Sequence, residues 1–215
     1  MKRFWKWGLI TIGVLVVGMG GLVFAFNQSM QSDPDEEAKA IQLAEPYVAE
    51  RFDNAELTTE VTFDNMGNFP FEYAATAVDA VTGTEFFVYA DETTGEVVDT
   101  FLASKWEDDV TDVIEDSVMT AFGRDVTFDV FYDEVALRQL DASAANPLAY
   151  KTADVVPTIL VTIPRMPESG DEALVRTWMA ALQESDMLRH ADVHVDYVAK
   201  NGKILNDGIP LILLF

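Results

Sequence analysis

The chain has 215 residues and no cysteine, which excludes disulfides, thiolate catalysis, thiolate-bound zinc and a lipid-modified cysteine anchor. Hydrophobic residues make up 49%, enough for a packed core and against wholesale disorder. The formal charge of -23 sets the surface against nucleic acid and anionic headgroups.

The charge is unevenly spread. Lys2, Arg3 and Lys6 are the only charges in the first 26 residues, which leaves 11 of the 14 basic side chains against all 37 acidic ones, a formal -26 on the rest. Residues 1–7 form a basic, aromatic stub, MKRFWKW, and Gly8 to Phe26 follow without a charge. At about 1.5 Å per residue this stretch matches a bilayer core of roughly 30 Å. The basic stub before it and the acidic chain after it predict a single-pass span at the cell membrane, with a cytoplasmic N-terminus and an extracytoplasmic bulk. Trp5 and Trp7 suit the interface. The rival is a signal peptide cut after Ala25, which would release a secreted acidic protein. The glycines of the span do not form a G-x-x-x-G pair.

After a linker, 27–33, Asp33-Pro34 reads as a helix N-cap and first position, with Asp35, Glu36 and Glu37 at the positive end of the dipole. Ala38, Ile41, Ala44, Val48 and Phe52 continue at helical spacing. Pro46 is expected to kink or split this helix. Strands are predicted over Leu57–Asn65, Phe71–Asp79, Thr84–Asp91 and Glu96–Phe101, separated by Gly-containing turns. A helix should then start at the capping box Ser104-Lys105-Trp106-Glu107, bury Trp106, Val110, Val113, Ile114 and Val118, and end at Gly123.

The second part opens with a strand at Val126, Phe128, Val130 and Tyr132. A short helix and a loop around Asn146-Pro147 are expected between Asp133 and Ala149. Val155–Ile163 reads as a strand, placed at an edge or bulge by Pro157. A second capping box, Ser169 to Glu172, opens a helix through Trp178. A strand at Val193, Val195 and Tyr197, a hairpin at Asn201-Gly202 and a buried last strand, Leu211–Phe215, complete the chain.

The stretch YADETTGEVVDTF, 89–101, gathers Asp91, Glu92, Glu96 and Asp99 around a Thr-Thr-Gly turn. The local chemistry reads as a hairpin: Gly95 supplies positive φ, Thr93 and Thr94 bond locally, and a calcium loop's ligand pattern is missing. With the Ala-rich helix EEAKAIQLAEPYVAERF and the intervening strands, this run resembles a PepSY-type module, a small cystatin-like α+β domain. The resemblance covers 37–99. It implies an extracytoplasmic, membrane-tethered module that binds or restrains partners such as peptidases or wall enzymes, with no shared catalytic residues.

His190 and His194, in HADVH with Asp192 and Asp196 nearby, are the only histidines. On a helix this i, i+4 spacing puts both on one side, where a metal site is imaginable; the run lies at a helix-to-strand transition, and in a strand the two lie about 13 Å apart, too far for one ion. Nucleophile, H-E-x-x-H and phosphate-loop motifs do not occur. Trp106 and Trp178 read as core anchors. The expected fold class is thus α+β. A transmembrane helix at 8–26 precedes a cystatin/PepSY-like lobe at 34–123, a helix on an antiparallel sheet, and a second α+β lobe at 124–215. The expected function is a membrane-anchored, non-catalytic interaction or regulatory module with a protein partner in the cell envelope, no nucleic acid, and no assigned catalytic, cofactor or metal residue. The alternative is a carboxylate- or metal-dependent extracellular hydrolase.

Overall fold

The computed structural model describes residue 26 and residues 30–140, 149–205 and 210–215. The expected span, apart from Phe26, and the loop at Asn146-Pro147 lie outside the described residues. Among the described residues no helix is long and apolar enough to cross a membrane.

The chain is α+β, and its described residues form two four-stranded sheets. Helix α1, Pro34–Arg51, is capped by Asp33, whose carboxylate accepts the Asp35 N–H at 2.9 Å. Contrary to expectation, α1 runs unbroken through Pro46. The ring lies on the exposed side, between the buried Ala44 and Val48, so core contacts hold both halves in one helix. Strands β1 (Ala55–Phe63), β2 (Tyr73–Asp79), β3 (Glu85–Ala90) and β4 (Val97–Asp99) form an antiparallel meander in chain order. Ala75, Ala77, Phe86 and Val88 pack against Ala44 and Val48 of α1 and against Phe52, which caps its C-terminus. The other face carries Phe71, Ala74 and Tyr89.

Helix α2, Phe101–Phe122, begins four residues earlier than the capping box suggested, and the fourth strand is correspondingly shorter. Phe101 explains the shift. It sits edge-on to Phe52 and Phe86, each at 5.3 Å, and is 5% exposed, so the first core draws it into the first helical turn. Ser104 is interior, and the Asp99 carboxylate takes the Phe101 N–H instead. From Ala103 onward the buried face of α2 (Trp106, Val110, Ile114, Val118) belongs to the second core.

The second sheet runs β5 (Thr127–Phe131), β6 (Thr158–Ile163), β7 (Asp192–Tyr197), β8 (Leu211–Leu214) in spatial order. The β6–β7 pair is parallel and the others antiparallel. A short helix α3, Glu134–Arg138, follows β5, and α4, Asp171–Glu184, makes the β6–β7 crossover. Three expectations are corrected here. Pro157 precedes β6 rather than interrupting it, so β6 is an interior strand. Helix α4 starts at Asp171 with Gly170 as N-cap, so the Ser169–Glu172 box is unused. The final strand β8 is an edge: Leu213 is buried, while Ile212 and Leu214 are 52% and 68% exposed. At the hairpin after β7, Gly202 has φ 79 and Asn201 is not in the positive region. The Gly202 N–H reaches Ala199 O and the Ala199 N–H reaches Lys203 O, a three-residue turn closed by glycine.

Candidate functional site

Of the four carboxylates of 91–99, Asp91 and Asp99 are structural fastenings. In the turn from Asp91 to Glu96 the Asp91 carboxylate accepts the N–H groups of Thr93 and Thr94 at 3.0 and 2.9 Å, and Gly95, at φ 72, donates to Asp91 O. The turn from Asp79 to Thr84 repeats it. Asp79 accepts from Val81 and Thr82, and Gly83, at φ 76, donates to Asp79 O. The D-x-x-T-G pattern thus occurs twice, as two hairpin closures.

Asp91 differs from Asp79 in also meeting the second lobe. Its Oδ2 accepts Arg138 Nη1 at 3.0 Å. Arg138 Nη2 donates to the Tyr89 hydroxyl at 2.9 Å, and that hydroxyl donates to Glu134 Oε2 at 3.0 Å. Asp133 caps α3 through the Val135 and Ala136 N–H groups and so aims Glu134 and Arg138, four residues apart, at one point. The Thr94 N–H, then Arg138, hold the Asp91 carboxyl below the usual carboxylate range. Burial, then the Glu134 carboxylate, push the Tyr89 hydroxyl up, so it stays protonated as a donor.

Beside this hub lies a cleft of about 300 Å³ between the lobes, with Tyr47, Arg51, Glu96, Asp99 and Glu134 in its lining. Tyr47 donates to Asp99 Oδ2 at 2.7 Å, and its hydroxyl is raised by burial and then by Asp99. Arg51 stacks 4.6 Å from the Tyr47 ring centre and brings a cation to the lining. The polar groups here converge mainly on one another.

A second concavity, of about 510 Å³, opens between α2 and α4. Its floor is mainly apolar, with Ala121, Leu174, Ala181 and the edge of Trp178, and Asp116, Ser117, Thr120 and Thr177 complete the lining. Trp178 is anchored by Nε1 donating to Ser117 Oγ at 3.1 Å and by Phe122, edge-on at 5.2 Å. Trp106 and Trp178 are 1% and 4% exposed and serve as core anchors.

His190 precedes β7 and His194 lies within it, opposite Leu160 and Ile212, so the two do not share one helix face. Among the described residues no group of three His, Asp or Glu side chains is placed to hold a metal ion. The most shifted carboxylate is elsewhere. Asp171, 6% exposed, takes two bonds from Arg165, at 2.9 and 2.6 Å, and the Glu168 N–H at 2.7 Å. Arg165 pulls its pKa down to about 2, against the effect of burial.

Sequence reasoning missed the Tyr89–Arg138–Glu134 hub and Arg165–Asp171. The Glu134/Arg138 spacing was visible behind Asp133. Its partner Tyr89, 45 residues away from Glu134, was not. No protein-family model matches the chain, and no curated protein is significantly similar to it.

Proposed function

We propose that the chain is a membrane-tethered extracytoplasmic interaction module, PepSY-like over 37–99 and non-catalytic, that holds a protein partner of the cell envelope. The groove between α2 and α4 carries this reading. Small side chains let a partner backbone approach, Leu174 and the Trp178 edge give an apolar floor, and a helix is the element that fits between two helices. Photo-crosslinking from position 177 in intact envelopes tests it. The expected result is one dominant protein adduct, lost when Ala181→Arg fills the groove and not formed from position 81 in the exposed turn. Equal labelling from both positions overturns the reading. Protease added to spheroplasts should digest the chain beyond residue 27; protection would reverse the topology.

The hydrolase alternative rests on the cleft, where Glu96, Asp99 and Glu134 share one lining. Turnover of a wall polymer that Glu134→Gln abolishes, with the fold intact, would favour it over the interaction module.

A further inference from the structure

Sheet edges are where chains pair unintentionally, and among the described residues three of the four edge strands carry a charge or a break in register. Strand β1 carries Glu56 and Glu60 and a break in register between Leu57 and Val61. Strand β4 carries Asp99 and β5 carries Asp129. Charge and irregularity of this kind discourage strand addition. The fourth edge, β8, reads Leu-Ile-Leu-Leu and has neither.

Its backbone is open in a defined pattern. Ala191 and Phe215 exchange both N–H···O bonds at 3.2 Å, which makes them a narrow pair. Alternation along the antiparallel ladder then makes Val193–Leu213 and Val195–Leu211 narrow pairs as well. Ile212 and Leu214 therefore direct their N–H and C=O groups away from β7, toward the free edge. Their side chains share the face of the sheet that also carries Leu160, His194 and Asp192, opposite the buried row Val130, Ile159, Val193 and Leu213.

The charge distribution says what can approach. Residues 187–215 hold three basic side chains, Arg189, Lys200 and Lys203, and three acidic ones, Asp192, Asp196 and Asp207, so the entire net charge of -23 lies in the sequence before them. Two copies that meet through most of their surface repel each other; β8 and the strand beside it belong to a segment, 187–215, whose formal charges cancel.

We propose that β8 is the seam of a homodimer. Two copies pair β8 with β8 antiparallel across a twofold axis at Leu213, joining two four-stranded sheets into one continuous sheet. In this register Ile212 faces Leu214 of the second copy and Leu214 faces Ile212. Each such pair is narrow, so all outward groups of Ile212 and Leu214 are bonded. The side chains that meet are apolar on both sides, the cross-strand pairing that stabilises a sheet. The four-residue seam is short beside a standard interface of roughly 1,600 Å². Dissociation is therefore expected at roughly micromolar concentration or above, which tethering of both copies to one membrane would offset.

Sedimentation equilibrium of the full chain in mild detergent tests the seam. The wild type should show a concentration-dependent dimer. Ile212→Pro removes an outward N–H and leaves the β7 ladder intact, as proline on an edge strand does; it should weaken the dimer at least tenfold with an unchanged circular dichroism spectrum. If that variant misfolds, Ile212→Lys replaces it with the same expectation. The absence of cysteine gives a clean register test. A mixture of Ile212→Cys and Leu214→Cys proteins should be joined by a short bismaleimide more efficiently than either alone, and Val81→Cys should not be joined. A monomer at every concentration overturns the proposal. So does a dimer indifferent to both 212 variants, which would place self-association elsewhere, or a β8 edge that captures only a different protein.

Discussion

Asp79 and Asp91 do the same work twelve residues apart, each folding its own turn by accepting two or more N–H bonds. The glycine that closes the turn is in the left-handed region, and a Cβ built on Gly95 meets nothing within 4 Å. Substitution there acts through backbone strain alone. Gly95→Val should destabilise by about 1–3 kcal/mol, and Gly95→Asn by clearly less, because Asn visits that region more readily. Urea unfolding of the two variants checks the order, and equal losses would contradict a left-handed requirement. The acidic surface is mostly solvated, but Asp171 is buried and paired, and its stability effect has a sign. Its carboxyl is held at about 2, below the 3.8 of an ordinary Asp. The group therefore contributes fully above pH 4 and loses its contribution as pH falls through 2. After allowance for screening this is about 1–2 kcal/mol. Arg165→Gln should remove it, so the pH dependence of the melting temperature below pH 4 should flatten in that variant.

Helix α1 tolerates Pro46, yet the residue cannot donate to the ladder of its own helix, and its ring is exposed. Pro46→Ala should therefore raise stability, by about 1–3 kcal/mol. No gain in melting temperature would mean that a bend at Pro46 is needed for Ala44 and Val48 to reach the sheet together. Local patterns in the sequence identified α1, the meander and the apolar face of α2, because period and turn residues carry that information. They failed at element starts. Ser104-x-x-Glu107 is a good local cap, but Phe101 packing between Phe52 and Phe86 outweighs it. They also failed at Pro157, where the strand begins one residue after the proline. The site was less legible than the elements. Asp91 was visible as a turn residue, but its second bond depends on Arg138, which only the tertiary fold brings within 3.0 Å.

At the scale of the whole molecule the two lobes are joined twice over. Strand β4 ends at Asp99 and α2 begins at Phe101, so one residue separates the sheet of the first lobe from a helix whose buried face lies in the second core. The hub of Arg138 with Asp91, Tyr89 and Glu134 forms a second connection. A helix that enters both cores transmits loss of either one, which favours a single cooperative transition rather than separate unfolding. With Trp5 and Trp7 changed to Phe, Trp106 and Trp178 report the second core and far-ultraviolet circular dichroism reports both, so coincident urea transitions are expected for the full chain in detergent. Tyr89→Phe leaves the ring in place and deletes the hydroxyl that Arg138 and Glu134 share; it should cost about 1–2 kcal/mol. Arg138→Ala combined with Tyr89→Phe should cost less than the two losses added, since both break the same network. If the helix is the dominant connection, that double variant still unfolds in one transition, whereas Phe101→Ala, which cuts about 3–5 kcal/mol from the first core at the point where α2 leaves it, separates the two probes. Separation in the hub variant with coincidence in Phe101→Ala would make the side-chain hub, and not the shared helix, what holds the lobes as one unit.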